Sequence, residues 1–289
     1  MALKNKIRSY GELVMFSHSL FSLPFALIAM IWAADGFPQP RLIALILIAL
    51  LAGRNGANAI NRVIDASYDK KNPRVAHRHI PQKIVSEKEA LLLSIILFIV
   101  FIVAAYMINP LCFYLSPVAL TLFIAYSYTK RFTWACHLIL GMTCAGAPFG
   151  AWIAVTGSLS YEPFLISAAV AFWIGGFDVL YGTQDISFDR KEGLYSIPAY
   201  FGYENSLKIA AFFHIISWMI LFLIYFVLNN GYIYLAGLLV IALLFAIEHK
   251  LVRPGNVKLM NWASYHINQI VSVTFFLFSF LDFWLRGGF

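Results

Sequence analysis

Charge is what this chain has least of. Only 12% of its 289 residues are charged, and 61% are hydrophobic, where an ordinary soluble domain carries about 25% charge. A soluble globule must give roughly half its surface to water and cannot hide so much apolar area. That excludes a cytosolic enzyme and a nucleic-acid-binding domain as leading readings. Cysteine is scarce too: Cys112, Cys136 and Cys144 lie inside apolar runs without any C-x-x-C spacing. No disulfide framework or zinc site is supported, and the thiols read as buried structural ones. A cleavable signal is not evident either, since the first apolar run begins near Leu13 after a basic start and is too long for a signal core. It reads as a retained span, with membrane lipid as the solvent.

What is abundant is apolar sequence in lengths that fit a bilayer, which needs roughly 20 residues per helix. Runs fall at 13–34, 42–64, 90–108, 111–128, 133–155, 163–182, 205–228, 232–248 and 267–285. The expected fold is all-α, a polytopic membrane protein of about nine transmembrane helices forming one domain over 1–289. Short, nearly uncharged turns separate alternate spans: Asp35-Gly36, Asn109-Pro110, Thr156-Gly157 and Asn229-Asn230-Gly231. The remaining loops, 65–89, 129–132, 183–204 and 249–266, share a face with the basic N-terminus, and of 21 Lys and Arg all but Arg41 and Arg286 lie on that face or at its boundary. The positive-inside rule makes that face cytoplasmic, in a plasma or inner membrane. The net charge of +7 is therefore a topology signal before it is anything else.

Carboxylates are costly near lipid, so their placement is informative. Asn58, Asn61, Asp65 and Asp69 recur as Asp178, Tyr181, Asp185 and Asp189, each pair 120 residues apart, and a dibasic pair follows both (Lys70-Lys71, Arg190-Lys191). This offset implies a parallel repeat: a first half over 13–128, a second over 133–248, and a ninth helix over 267–285. On an α-helix, steps of four residues drift about 40° and rise about 6 Å, so each set forms a ladder on one face. Carboxylates so spaced repel and need cations. Hard oxygen donors without His or Cys suit Mg²⁺ bound through a substrate phosphate; ladders paired only to loop Lys and Arg are the structural alternative. Arg74, Arg78, Lys130, Arg131, Arg190 and Lys191 share the ladders' face and suit a common diphosphate. The substrate this describes is an amphiphile with a diphosphate head and an apolar tail.

The stretch from Asn61 to Asp69, with Arg74 and Arg78, resembles the first aspartate motif of the UbiA family of intramembrane prenyltransferases, and Asp178 to Asp189 resembles the second. Tyr126-Ser-Tyr-Thr-Lys130-Arg131 looks like the family's middle Tyr-Pro-x-x-Lys-Arg element, with Ser127 in place of Pro, a change expected to alter the turn more than the chemistry. The resemblance covers nearly the whole chain. It implies Mg²⁺-dependent transfer of a polyprenyl group from a prenyl diphosphate to a small aromatic acid in quinone biosynthesis. Carried over residue by residue, Asn61, Asp65 and Asp69 hold one Mg²⁺, and Asp185 and Asp189 the other. Arg74, Arg78, Lys130 and Arg131 meet the diphosphate, while Tyr126, Asp178 and Tyr181 line the reaction centre, with Asp178 the candidate acceptor of the ring proton. Arg54, two turns deeper than Asn61, is assigned to the acceptor's carboxylate, with a packing role as the alternative. Ser17 to Phe25 and Gly193 to Pro198 look closer to the menaquinone (futalosine) branch, so 4-hydroxybenzoate and a dihydroxynaphthoate both stand as acceptors.

Two other functions compete. An intramembrane lipid phosphotransferase is expected to carry Asp-x-x-Asp-Gly, and the Asp65 to Asp69 spacing departs from it. A transporter of an anionic amphiphile is expected to place its polar residues near the midplane, whereas these acids cluster at one boundary. Among lesser features, His18 and Ser22 read as an internal hydrogen-bonding pair and Gly146-x-x-x-Gly150 as a close-packing helix face. His137, His214 and His266 read as structural or interfacial.

Overall fold

A computed structural model describes residues 9–14, 19–252, 260 and 262–288. Its described elements are helical: α1 (Ser19–Ala34), α2 (Pro40–Ile64), α3 (Ala66–Lys71), α4 (Glu87–Ile108), α5 (Pro110–Thr129), α6 (Cys136–Thr156), α7 (Glu162–Gly182), α8 (Ile186–Lys191), α9 (Ile197–Val227), α10 (Tyr232–Leu251) and α11 (Asn268–Leu285). Among the described residues, eight helical stretches are long and apolar enough to cross a bilayer, and Phe21–Ala34 is a shorter apolar helix. The protein is an all-helical, polytopic membrane protein. Ile99, Val103, Phe212, Met219 and Leu243 stand exposed on these helices, apolar surface that lipid covers without cost.

Local chemistry sets the boundaries. Ser86 and Glu89 close a capping box at the start of α4, Ser196 caps α9 through the Ala199 N–H, and Pro40 and Pro110 occupy first helical positions, where no N–H is needed. Gly157 takes φ +64 after α6, the left-handed ending that glycine adopts without a Cβ penalty. Gly202, at φ 79 and ψ 174, kinks α9.

The chain divides into two compact units. The first holds 1–19 and 40–128. In it α2 packs on α4 through small residues: a Cβ on Gly56 would meet the Phe98 ring at 2.7 Å and one on Gly53 the Phe101 ring at 3.2 Å. The Ser94 hydroxyl donates to the Gly56 carbonyl at 3.0 Å across the same contact. Leu13, Ala66, Ile80, Val85 and Ala90 form a small apolar cluster that anchors α3 and the loop behind it.

The second unit holds 20–39 and 129–289, so α1 groups here and not at the head of the first half. The reason is aromatic: Phe25 lies 5.0 Å from Trp173 and 4.3 Å from Phe275 between ring centroids, and all three are fully buried. Close packing of α6 on α7 falls at Gly141, whose added Cβ would collide with the Ala171 carbonyl oxygen. At Gly146 and Gly150 an added Cβ meets nothing within 4 Å, which corrects the close-packing role expected of that pair.

Candidate active site

In the first unit the acid ladder is not one helix. α2 ends at Ile64, Asp65 sits at φ −94 and ψ 1, and six-residue α3 begins at Ala66. Backbone bonds from Asp65 N to Asn61 O (2.9 Å) and from Asp69 N to Asp65 O (2.8 Å) keep the four-residue spacing through this junction. Asn61 Nδ2 donates to Asp65 Oδ2 at 2.7 Å and to the Ser127 hydroxyl at 3.2 Å. Arg62 Nη1 donates to Asn61 Oδ1 at 3.2 Å. Asp69 is buried, and Arg78 Nη1 reaches both of its oxygens, at 2.7 and 2.8 Å. The Tyr126 hydroxyl lies 3.5 Å from the Ala57 carbonyl, a long contact. The Arg74 backbone N–H donates to Asn72 Oδ1 at 3.0 Å, and the Arg74 and Arg54 side chains are half-buried. Ser127 lies inside α5 and its hydroxyl touches Asn61. Replacing a proline there supplies a polar contact, and the helix continues without a turn, contrary to the expectation.

The second unit repeats the junction. After α7 comes a 3₁₀ turn over Thr183–Asp185; Asp185 sits at φ −101 and ψ 4, and six-residue α8 follows. The 120-residue offset thus extends from residue identity to backbone conformation, with both pivotal aspartates in the bridge region where many active-site residues sit. Asp189 has no exposed surface; Lys130 Nζ lies 2.8 Å from its Oδ1, and the Ser196 hydroxyl donates to its Oδ2 at 2.8 Å. The Tyr195 N–H donates to the Lys130 carbonyl at 2.7 Å, fixing the base of that lysine. Burial opposes the Lys130 charge, but Asp189 and Asp185 outweigh it and hold the ammonium above its ordinary pKa. A raised lysine pKa means this attraction is complete at neutral pH and is lost only when pH climbs past the usual lysine range. Arg131 is half-buried beside it.

On α7 the Asp178 carboxylate meets His137 of α6, with Nδ1 and Oδ2 2.6 Å apart. One turn further on, the Tyr181 ring lies 5.4 Å from Tyr265 and 6.5 Å from Phe177 between centroids, and Phe21 stacks 5.8 Å from Phe177. Of the residues expected from sequence, the first unit joins Asn61 to Asp65 and Asp69 to Arg78, and the second joins Lys130 to Asp189. Sequence reasoning missed Ser196, Phe177 and Tyr265, took His137 as structural, and read Ser127 only as a change of turn. Only Ser196 carried a signal, a cap residue directly before Ile-Pro. His18 lies outside the described residues, Ser22 is buried, and His79 pairs with Glu12 at 3.3 Å.

The donor set fits a hard divalent cation: amide and carboxylate oxygens, with the Asn61 side chain already seated on Asp65. Among the described residues no three His, Cys, Asp or Glu side chains gather into a complete metal cluster. A cation held here needs further oxygens, which a diphosphate has.

Comparison with known proteins found related sequences and structures. The sequence profile of the UbiA prenyltransferase family matches residues 22–279. The chain is 29% identical to the 4-hydroxybenzoate octaprenyltransferase of Vibrio cholerae over 251 residues, 86% of this chain and 88% of that protein. It is 26% identical to the enzyme of the same name from Shewanella pealeana over 290 residues, 99% of this chain and 100% of that one. The apo structure of a UbiA homolog from Aeropyrum pernix K1 matches with a TM-score of 0.84 at 28% identity, covering 92% of this chain and 98% of that chain. A UbiA homolog from Archaeoglobus fulgidus, solved bound to GPP and Mg²⁺, shares the fold with a TM-score of 0.72 at 20% identity over 95% of this chain and 99% of that chain.

Proposed function

Because this chain belongs to the UbiA prenyltransferase family, we propose that it transfers a polyprenyl group from a prenyl diphosphate to a small aromatic acid, 4-hydroxybenzoate or a dihydroxynaphthoate, in respiratory quinone biosynthesis. The observation that carries this reading is the duplicated junction: an aspartate at φ near −100 and ψ near 0 opening a six-residue helix, in both units. Two such acid ladders are hard to account for without a polyanionic substrate. Asn61, Asp65 and Asp69 would hold one Mg²⁺ and Asp185 and Asp189 a second, and the metal would supply positive charge to the diphosphate leaving group.

The chain's own residues do the rest. Arg78 and Lys130 balance the buried Asp69 and Asp189 before substrate arrives, since two unpaired carboxylates in so dry a place would be costly. Arg74 and Arg78 in the first unit, and Lys130 and Arg131 in the second, are cationic donors of the kind a diphosphate binds, able to stabilise charge developing on its bridging oxygen. Phe21, Phe177, Tyr181 and Tyr265 form an aromatic group in the second unit. Their π faces attract an allylic cation, and their bulk keeps water from it. Tyr126, in the first unit, keeps the reaction-centre role that the resemblance implies. Arg54 pairs with the acceptor's carboxylate.

The test is purified protein with Mg²⁺, a long-chain prenyl diphosphate and a panel of aromatic acids. A prenylated aromatic acid and released diphosphate are expected, and chelation of the metal stops both. Absence of product with every acceptor, together with flux of the amphiphile across liposomes, overturns the reading.

A further inference from the structure

Asp178 is held by a residue that nothing in the acid ladders accounts for. His137 stands on α6, 41 positions away in sequence, and its Nδ1 lies 2.6 Å from Asp178 Oδ2. A carboxylate only accepts, so Nδ1 carries the proton and donates. The imidazole is 4% exposed. Its other nitrogen, Nε2, is buried, and the neighbouring Cys136 thiol also interacts with the ring. The ring is wedged against Gly182, where an added Cβ would stand 2.9 Å from Cε1, and the α6 backbone below it is clamped to α7 at Gly141. Both χ angles of His137 are therefore fixed by packing. The Asp178 side chain, by contrast, keeps 25% of its surface open, on the helix that carries Tyr181 and leads into Asp185.

Packing alone does not require the Nδ1 of a buried histidine to meet a partly open carboxylate at 2.6 Å. A histidine and an acid at 2.6 Å, one rigid and one facing space, is the arrangement of an orienting group and a base.

We propose that His137 is a positioning residue that fixes the Asp178 carboxylate to accept the proton released by the aromatic acceptor; this rests on the prenyl transfer proposed above. The bookkeeping of the step is complete. The allylic C–O bond breaks with its electron pair leaving on the diphosphate, and a ring π pair forms the new C–C bond. The ring C–H bond then returns its pair to restore aromaticity, and the proton passes to the open oxygen of Asp178 while Oδ2 keeps its bond from His137. No oxidant or reductant is needed.

The test compares wild type with Asp178→Asn, His137→Leu and His137→Asn, using a ring-deuterated acceptor. His137→Asn retains an N–H donor near the Nδ1 position, and all variants are checked for folding by size-exclusion chromatography in detergent. In Asp178→Asn and His137→Leu, kcat is expected to fall on the order of 100-fold, with KM for the prenyl diphosphate unchanged and a primary isotope effect that wild type lacks. His137→Asn is expected to recover most of kcat and abolish that isotope effect. A His137→Leu protein with wild-type kcat, or one that loses activity with no isotope effect and no rescue by asparagine, overturns the positioning role. Wild type that yields no product with any acceptor overturns the transferase reading instead, so the two failures are distinguishable.

Discussion

Asp65 and Asp185 occupy matching points where one helix stops and a six-residue helix begins. Asp69 and Asp189, four residues later, are buried, as is Asp185, while Asp65 is half-buried. The two members of each ladder differ in their partners. The later one is already balanced by a cation, Arg78 or Lys130, and the pivotal one is the more open to a metal and substrate in the first unit, where Asp65 is half-buried. Asp65→Ala and Asp185→Ala are each expected to lower turnover by about 100-fold or more, the scale of removing a preorganised charge contact. Folding is expected to survive, because neither side chain is a cap acceptor for the helix it precedes. Product formation and the chromatographic profile of the purified variants check both halves of this expectation, and near-wild-type turnover in either refutes the two-metal assignment.

At the scale of elements, the helices in each unit approach most closely where a side chain is missing. α6 and α7 touch backbone to side-chain-free backbone at Gly141, and this contact sets the distance across which His137 reaches Asp178. Gly141→Ala places a methyl group on the Ala171 carbonyl and is expected to cost about 1–3 kcal/mol, the usual range for overpacking. Gly146→Ala, with open space around its Cβ position, is expected to leave stability unchanged. Thermal unfolding of the two variants in detergent distinguishes them, and equal melting temperatures refute the backbone contact. A second polar element joins α7, α10 and α11: Trp173 Nε1 donates to Asn268 Oδ1 at 2.6 Å, and Asn268 Nδ2 donates to the buried Glu248 at 2.6 Å. Hydrogen bonds between helices replace the hydrophobic drive that lipid does not supply.

For the whole molecule, the distribution of charge assigns the faces. Loops 65–89, 129–132, 183–204 and 249–266 carry the ladders' cations and most of the chain's Lys and Arg, while the intervening turns are nearly free of them. We propose that this basic face, with the N-terminus, is cytoplasmic, where a water-soluble aromatic acid and Mg²⁺ are at hand. Reporter domains fused within 65–89 and 183–204 are expected to signal a cytoplasmic location, and those at 157–161 the opposite side. A cytoplasmic signal at 157–161 overturns this orientation.

The sequence by itself determined the solvent, the spans and the acids. Hydropathy and turn residues are local properties, and a chain with 12% charge has few ways to place its helices; among the described residues, eight long apolar helices and a shorter one appear close to where the runs predicted them. The 120-residue offset was equally legible, because residue identity needs no geometry. Tertiary structure decided the rest. The breaks at Asp65 and Asp185 escape sequence reading because a single bridge-region residue preserves the four-residue spacing of a helix. Whether Asp69 meets Arg78 or another loop cation, whether Asn61 reaches Ser127 across 66 residues, and whether α1 joins the second unit depend on helix rotation and depth. Those are set by how apolar faces pack, and many rotations bury similar area. His137 shows the difference most plainly. A lone histidine in an apolar run is unremarkable in sequence, and only the packing of α6 on α7 brings its Nδ1 within 2.6 Å of Asp178.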